Sequence, residues 1–195
     1  MDNSEVIISF KGISFTYHGN QSHRPVLDDL NLQISRGERV GLIGSNGSGK
    51  TTLFHLLMGL LRPTAGAIEV FGEERRKEKD FREVREKIGL LFQDSDDQLF
   101  CPTVAEDVAF GPLNLGKSQE EAVAITREVL ERLGLEGFED RLTYKLSGGE
   151  KRLISLATVL AMKPEVLILD EPTTGLDEET VERLTEILRS SDLTY

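Results

Sequence analysis

The feature that most constrains this 195-residue chain is a glycine-rich run at residues 44–52, Gly-Ser-Asn-Gly-Ser-Gly-Lys-Thr-Thr. Its spacing fits G-x-x-x-x-G-K-[ST], the pattern of a loop that binds phosphate groups. The glycines let the backbone turn tightly, so that successive N–H groups point inward and cradle an anion. In this pattern the lysine meets the β- and γ-phosphates of a nucleotide, and the next hydroxyl binds Mg²⁺. The residues predicted to surround the phosphates are Gly44, Ser45, Asn46, Gly47, Ser48, Gly49, Lys50, Thr51 and Thr52.

The segments on either side of this loop follow the order that phosphate binding requires. Residues 39–43 are a short apolar run typical of a buried strand, and residues 52–58 predict the helix that follows. The helix N-terminus would then lie under the phosphates, where its N–H groups favour an anion. A glycine-rich turn that binds nothing is the alternative, and the flanking strand and helix argue against it.

Charge and cysteine content limit the classes of partner. The chain has 23 Lys and Arg against 34 Asp and Glu, a net charge of −11. This argues against a general binder of nucleic-acid backbones, although a local basic patch stays open. The single cysteine, Cys101, cannot form an internal disulfide, and a packing role is favoured over a catalytic thiol. The sequence has no membrane-span-length apolar run and no signal peptide, so membrane association is expected through a partner.

The remaining pattern predicts a mixed α/β fold with an antiparallel β region ahead of the loop. A polar turn is predicted over residues 18–22, and a charged turn and helix over residues 73–87. Residues 94–162 read as an inserted helical part, in which a capping box at residues 118–121 opens a helix that ends near Gly134. Its predicted apolar face is Val123, Ile125, Val129, Leu130 and Leu133. Strands are predicted at residues 6–17, 26–34, 67–72, 88–92 and 166–169, and a last amphipathic helix at residues 178–190.

Two further motifs carry chemistry. The apolar strand at 166–169 ends in Asp170 and Glu171. The first carboxylate can hold Mg²⁺ through water and the second can deprotonate an attacking water, although many parallel strands end in Asp. Residues 146–150, Leu-Ser-Gly-Gly-Glu, place Ser147 as a natural N-cap before a helix whose start can meet an anion. An ordinary N-cap is the alternative.

Along the chain, the phosphate loop is followed by Gln93, by residues 146–150, by the strand ending at Asp170 and by the Thr-Gly-Leu-Asp run at 174–177. With its motifs in this order, the sequence resembles the nucleotide-binding subunits of ATP-binding-cassette (ABC) transporters over essentially the whole chain. A narrower resemblance, to the ATPases of energy-coupling-factor and cobalt/nickel importers, comes from Asp-Asp-Gln-Leu-Phe at 96–100 and Thr-Val-Ala-Glu-Asp-Val-Ala-Phe-Gly-Pro at 103–112. Glu-Lys-Arg at 150–152 also fits that branch.

The resemblance implies a role for each matching residue. Tyr17 would stack on adenine, the alternative being an aromatic that packs on the sheet. Glu171 would be the catalytic base. Mg²⁺ would be bound by Thr51, Gln93 and Asp170, and Gln93 would also link the core to the helical lobe. Ser147, Gly148 and Gly149 would contact the γ-phosphate held by a second subunit. Asp177 would lie at the subunit boundary, although it could equally N-cap the following helix.

The resemblance also implies a mechanism and partners. ATP would join two ATPase subunits, identical or paralogous, and hydrolysis would release them. An integral membrane transporter subunit would hold the pair at the cytoplasmic face of the cell membrane, and no nucleic acid is expected. The cargo would be cobalt, nickel or a vitamin. The alternatives are a soluble ABC ATPase of DNA maintenance and a non-hydrolysing nucleotide-binding module; a small-molecule kinase would not explain residues 146–150.

The implied fold is a single ABC ATPase domain over residues 1–195, a P-loop (RecA-like) α/β core with two lobes. Residues 1–93 would form the β lobe and the P-loop part of the core, 94–162 the helical lobe, and 163–195 the strand ending at Asp170 and the helix after Asp177. Family members carry a switch histidine after a further strand, whereas all three histidines here, His18, His23 and His55, precede Glu171. We therefore expect that the sequence is truncated before that histidine, that C-terminal strands are missing and that turnover is poor; Leu193–Tyr195 would begin the missing strand. The alternative is a sheet closed by something else, such as another chain.

Overall fold

The computed structural model describes residues 5–17, 24–191 and 193–195, so that the polar turn predicted over 18–22, with His18 and His23, lies outside the described residues. The chain divides into two compact units. The first runs to Ile88 and includes Thr194 and Tyr195, and the second spans Gly89–Leu193. Both combine strands with helices, which confirms the α/β fold class. The expected three-part boundaries, at 93/94 and 162/163, stay predictions.

The first unit contains a four-stranded antiparallel sheet of order β2-β1-β3-β4. Residues 7–10 of β1 are all buried, and burial alternates along the strand only from Lys11 to Phe15; Ile8 pairs with Val70 and Phe10 with Ile68. This confirms the predicted antiparallel region. The two-residue strand β4 lies inside the stretch that was predicted as a charged turn. The strands are β1 (Val6–Phe15), β2 (Leu27–Ser35), β3 (Ala65–Val70) and β4 (Glu73–Glu74).

The described residues of the first unit also form two helices, α1 (Lys50–Leu57) and α2 (Glu78–Lys87), and both were predicted. Leu53, Leu56 and Leu57 form the buried face of α1. Gly59 follows this helix in a left-handed conformation, and a Cβ there would come within 2.3 Å of the Phe81 ring of α2. Glycine at this turn therefore allows the ring to pack closely.

The prediction of a buried strand at residues 39–43 is wrong. Val40 N donates to Tyr195 O at 2.7 Å and Tyr195 N donates to Glu38 O at 3.1 Å, the alternation of a parallel pair. Residues 41–43 lie outside any strand, and Ile43 is fully exposed. An apolar run becomes a buried strand only where neighbouring strands supply hydrogen bonds along it and cover both faces. Here the described pairing is confined to one end of the run.

In the part of the second unit that the structure describes, there are a two-stranded sheet and four helices. Strands β5 (Ile88–Leu91) and β6 (Val166–Leu169) pair, and Asp170 N donates to Leu91 O at 3.1 Å just beyond β6. Short 3₁₀ turns at Ser95–Asp97 and Thr143–Lys145 connect the elements. The first three helices confirm the helical content predicted over residues 94–162, and the last confirms the helix predicted at 178–190. They are α3 (Val104–Asn114), α4 (Gln119–Arg132), α5 (Gly148–Leu160) and α6 (Glu178–Arg189).

The set of residues predicted to form the buried face of α4 is partly wrong. Its capping box is confirmed, since Ser118 N donates to Glu121 Oε2 at 2.8 Å and Glu121 N donates to Ser118 Oγ at 3.2 Å. Val123, however, is exposed and Ile125 is only half-buried. Thr126 is buried because its hydroxyl donates to the Ala122 carbonyl at 2.8 Å, which removes the cost of burying a polar group. The buried positions are Ala122, Thr126, Val129, Leu130 and Leu133.

Among the residues that the structure describes, no helix is both long enough and apolar enough to cross a membrane.

Candidate functional site

The glycine-rich loop forms a tight turn that ends at the first residue of α1. Gly47 and Gly49 have φ values of +78° and +97°, in the left-handed region that glycine adopts without strain. A Cβ on Gly49 would lie 3.0 Å from Leu27 Cδ2 and 3.2 Å from Val26 O, so the position also needs a residue without a side chain. Because Gly49 is the N-cap, no side chain at that position caps the first N–H groups of α1. This is the geometry expected of a loop that receives an anion.

The lysine of the loop is folded back onto the loop itself. Lys50 Nζ donates to Gly44 O at 3.0 Å and to Ser45 O at 3.3 Å. These contacts hold the positive charge of Lys50 against the backbone at the start of the loop. A phosphate entering the loop would meet both this ammonium group and the N-terminal end of α1.

Tyr17 lies beside the same helix start. Its hydroxyl is 3.1 Å from Thr52 Oγ1, and its ring packs edge-on against Phe15 with centroids 4.8 Å apart. Tyr17 is 40% exposed. The structure thus places Tyr17 beside the start of α1. The Phe15 contact belongs to the sheet-packing alternative, and the exposed part of the ring is open to a flat ligand; stacking on adenine stays a prediction.

In the second unit, Gln93 and Glu171 meet where β5 and β6 end. Gln93 Nε2 donates to Glu171 Oε2 at 3.0 Å, and Thr174 Oγ1 lies 3.3 Å from the same oxygen. Two residues that lie 78 positions apart in the sequence are therefore in contact. Asp170, between β6 and Glu171, is buried. A glutamate oriented by a neighbouring amide suits the role of a base that receives a proton from water.

Sequence reasoning assigned no role to Arg152, which the structure places at the centre of this group. It is 4% exposed, and its guanidinium donates to backbone carbonyls at the ends of β5 and β6. Burial lowers the pKa of the Arg152 guanidinium, while the charges of Asp170 and Asp94 act to raise it. The sequence offered only a weak signal: Arg152, the second of two adjacent cations, directly precedes the mostly apolar stretch 153–157 of α5. Burial is unusual for arginine.

The start of α5 is a complete capping box. Ser147 N donates to Glu150 Oε2 at 2.7 Å, and Glu150 N lies 3.3 Å from Ser147 Oγ. The hydrogen bond from the Ser147 backbone lowers the pKa of the Glu150 carboxyl. Gly148 and Gly149 form the first turn of the helix. The predicted N-cap at Ser147 is thus confirmed. Contact of residues 147–149 with ATP held by a second subunit stays a prediction.

Asp177 has the same kind of local role. Thr180 N donates to its Oδ1 at 2.8 Å, so that Asp177 is the N-cap of α6. This hydrogen bond lowers the pKa of the Asp177 carboxyl. The N-cap alternative raised by the sequence is therefore observed, and the proposed position at a subunit boundary stays a prediction.

The thiol of Cys101 is expected to react slowly. Burial, with a smaller contribution from the nearby Asp107 carboxylate, raises the pKa of the Cys101 thiol to about 11. Because only the thiolate is nucleophilic, alkylation by iodoacetamide at pH 8 should be roughly a hundredfold slower than for a cysteine peptide, and should accelerate about tenfold per pH unit up to pH 10. Unfolding in urea should restore the peptide rate. A folded protein that alkylates as fast as the peptide would contradict the packing role.

Known proteins are similar to this chain over the region that contains these motifs. The sequence profile of the ABC transporter family matches residues 27–174. A relative from Methanothermobacter thermautotrophicus, described as the energy-coupling factor transporter ATP-binding protein EcfA, is 48% identical over 183 residues. That match covers 93% of this chain and 58% of the relative, so the chain spans a little over half of the relative's length.

Solved structures share the fold. The structure of cbiO1 from Clostridium perfringens, described as part of the ABC transporter complex cbiONQ, is 35% identical with a TM-score of 0.83 and covers 97% of this chain and 76% of that chain. A dimeric post-hydrolysis state of the ATP-binding cassette MJ0796, bound to ADP and Pi, is 28% identical with a TM-score of 0.87. It covers 95% of this chain and 83% of that chain.

Proposed function

The chain belongs to the ABC transporter family, and on this premise we propose that it is the ATP-hydrolysing subunit of an energy-coupling-factor type importer. The reaction class is the family's own, hydrolysis of ATP to ADP and phosphate. The observation that carries the proposal is the hydrogen bond between Gln93 and Glu171. In this hydrogen bond Gln93, the residue expected to link the core to the helical lobe, contacts Glu171, the residue expected to act as the catalytic base.

The phosphates of ATP are bound by the loop at residues 44–52. Its backbone N–H groups, the first turn of α1 and the ammonium group of Lys50 supply positive charge around the β- and γ-phosphates. Tyr17, which contacts Thr52 at the start of α1, offers its ring to the adenine. Each of these groups belongs to the first unit.

Mg²⁺ fits the donors assigned to it. Thr51, Gln93 and Asp170 offer hydroxyl, amide and carboxylate oxygens, the hard donors that Mg²⁺ prefers. When bound, the ion neutralises charge on the phosphates of the nucleotide. Two residues of the chain act on the attacking water. Glu171 accepts its proton, and Gln93 orients the Glu171 carboxylate by donating a hydrogen bond from its amide.

A second ATPase subunit completes the reaction cycle. The helix start at Ser147–Gly149 is capped from within its own chain, and it presents N–H groups to an anion from outside. We assign that anion as the γ-phosphate of ATP held by the other subunit, in a pair that closes on ATP and opens after hydrolysis. The dimeric state of MJ0796 supports this assembly by similarity.

Replacing Ser147 with aspartate separates the cap from the phosphate contact. Aspartate caps helices about as well as serine, so we expect the melting temperature of Ser147→Asp to stay close to that of the wild type. Ser147→Ala should lose about 1 kcal/mol of stability. A carboxylate facing a γ-phosphate costs several kcal/mol, so ATP-dependent dimerisation of Ser147→Asp should weaken at least about tenfold, measured by analytical ultracentrifugation.

Ser118 provides the matched control, because it caps α4 with the same capping-box geometry. Ser118→Asp should change neither the melting temperature nor the ATP-dependent dimerisation. If Ser147→Asp dimerises with ATP as readily as Ser118→Asp, Ser147 does not face the phosphate of a second subunit.

The assignment to an importer is more specific than the assignment of ATP hydrolysis. EcfA and cbiO1 support it, since the described function of each is in an energy-coupling-factor or cbiONQ transporter. On this proposal a membrane subunit holds the ATPase pair at the cytoplasmic face of the membrane, and the cargo is cobalt, nickel or a vitamin. Co-purification with membrane proteins, followed by identification of the bound small molecule, tests the proposal. ATPase activity that DNA stimulates, without membrane partners, would favour DNA maintenance instead.

A further inference from the structure

Every hydrogen bond described for the buried guanidinium of Arg152 goes to a backbone carbonyl oxygen. A guanidinium has five N–H donors in a fixed plane, and five carbonyl groups surround this one. The distances are 3.1 Å from Nε to Pro172 O, 2.8 and 2.9 Å from Nη2 to Asp170 O and Glu171 O, and 3.2 Å from Nη1 to Gln93 O; Nη1 also donates to Phe92 O.

The five acceptors come from two separate places in the sequence. Phe92 and Gln93 follow β5, whereas residues 170–172 follow β6. One planar side chain on α5 therefore fixes the ends of both strands relative to each other. The contact between Gln93 Nε2 and Glu171 Oε2, at 3.0 Å, lies between the two segments that Arg152 holds.

The backbone at Glu171 needs such support. Its φ is +46°, in the left-handed region, where a side chain comes too close to the backbone and the conformation is strained. A strained conformation of this kind persists only where the surroundings over-determine it. Arg152 Nη2 donates to the carbonyls before and at this residue, Asp170 O and Glu171 O, and Nε donates to the next, Pro172 O. The carbonyls on either side of the strained residue are thus fixed by one group.

We propose that Arg152 is a positioning residue for ATP hydrolysis, which holds the backbone of Glu171 left-handed and thereby keeps its carboxylate in register with the Gln93 amide. The inference rests on the proposed function, because it takes Glu171 as the base. Arg152 itself touches neither ATP nor water in this scheme and acts only through the two strand ends.

Arg152→Lys is the first test. Lysine keeps the charge but offers three donors from one atom, and it cannot reach five carbonyls spread around a plane. Since a small misplacement of a reacting group can cost a hundredfold in rate, we expect kcat to fall about ten- to a hundredfold. The affinity for ATP should stay within about twofold, because the phosphate loop is untouched. Arg152→Gln, with two amide donors, should behave in the same way.

Lys151→Gln is the matched control. Lys151 is the neighbouring cation on α5 and pairs with the side chain of Asp96 at 2.5 Å, not with a strand end. Its kcat should stay within about twofold of the wild type.

A double-mutant cycle separates positioning from a general loss of stability. In the Glu171→Gln background the base is already absent, so adding Arg152→Lys should change the residual single-turnover rate less than about twofold. A crystal structure of Arg152→Lys should show the φ of Glu171 outside the left-handed region.

The possible results distinguish a failure of the role of Arg152 from a failure of the proposed function. Unchanged kcat in Arg152→Lys, an equal rate loss in both backgrounds, or failure of both Arg152 variants to fold would each overturn the positioning role. A wild-type protein that does not hydrolyse ATP would overturn the proposed function, and the φ of Glu171 in the Arg152→Lys structure would still decide the backbone role of Arg152.

Discussion

Lys50→Ala is expected to lower the affinity for ATP at least about tenfold. In the structure the ammonium group lies over the loop, 3.0 Å from Gly44 O and 3.3 Å from Ser45 O, at the point where a phosphate would enter. Charge-assisted hydrogen bonds to phosphate are worth roughly 1.5–3 kcal/mol each, and 1.4 kcal/mol corresponds to a factor of ten in the dissociation constant. Isothermal titration with ATP and Mg²⁺ measures the change.

The matched control for this measurement is Lys11→Ala. Lys11 belongs to the same unit, but it pairs with Glu69 on the exposed face of the sheet. Its loss should leave the affinity for ATP within about twofold of the wild type and should cost little stability, as is usual for surface ion pairs. An affinity for ATP that is unchanged in Lys50→Ala would remove the loop from its assigned role.

Features set by neighbours in the sequence were predicted well. The capping box at Ser118 and the N-cap at Ser147 depend on residues within a few positions of each other, and both are present. The glycines of the phosphate loop belong to the same class. A left-handed φ at Gly47 and Gly49 follows from the motif itself, because few other residues adopt that conformation.

Features set by distant neighbours were not predictable in the same way. The apolar run at 39–43 predicts a buried strand from composition, but its pairing depends on other segments, and Tyr195 pairs only near Glu38 and Val40. Arg152 shows the reverse case. Its local sequence indicates at most that the side chain could be buried, because its role is defined by carbonyls that lie 18 to 20 and 59 to 60 positions away. The phase of α4 failed for a smaller reason, a buried threonine whose hydroxyl bonds to its own helix.

Glu171→Gln is expected to leave ATP binding intact and to slow hydrolysis about a hundred- to ten-thousandfold, the usual contribution of a general base. The glutamine side chain has nearly the same shape, and its amide oxygen can still accept the hydrogen bond from Gln93 Nε2 that Glu171 Oε2 accepts at 3.0 Å. The local arrangement is therefore kept, and only the ability to take a proton from water is lost.

Because the variant binds ATP without consuming it, a pair of subunits joined by ATP should accumulate. Size-exclusion chromatography with ATP and Mg²⁺ should show Glu171→Gln as a dimer, while the wild type returns to monomer as it hydrolyses the nucleotide. Glu182→Gln, an exposed glutamate on α6, is the control and should match the wild type in both turnover and elution. Wild-type turnover in Glu171→Gln would show that another group is the base, and the role of Arg152 would then lose its premise as well.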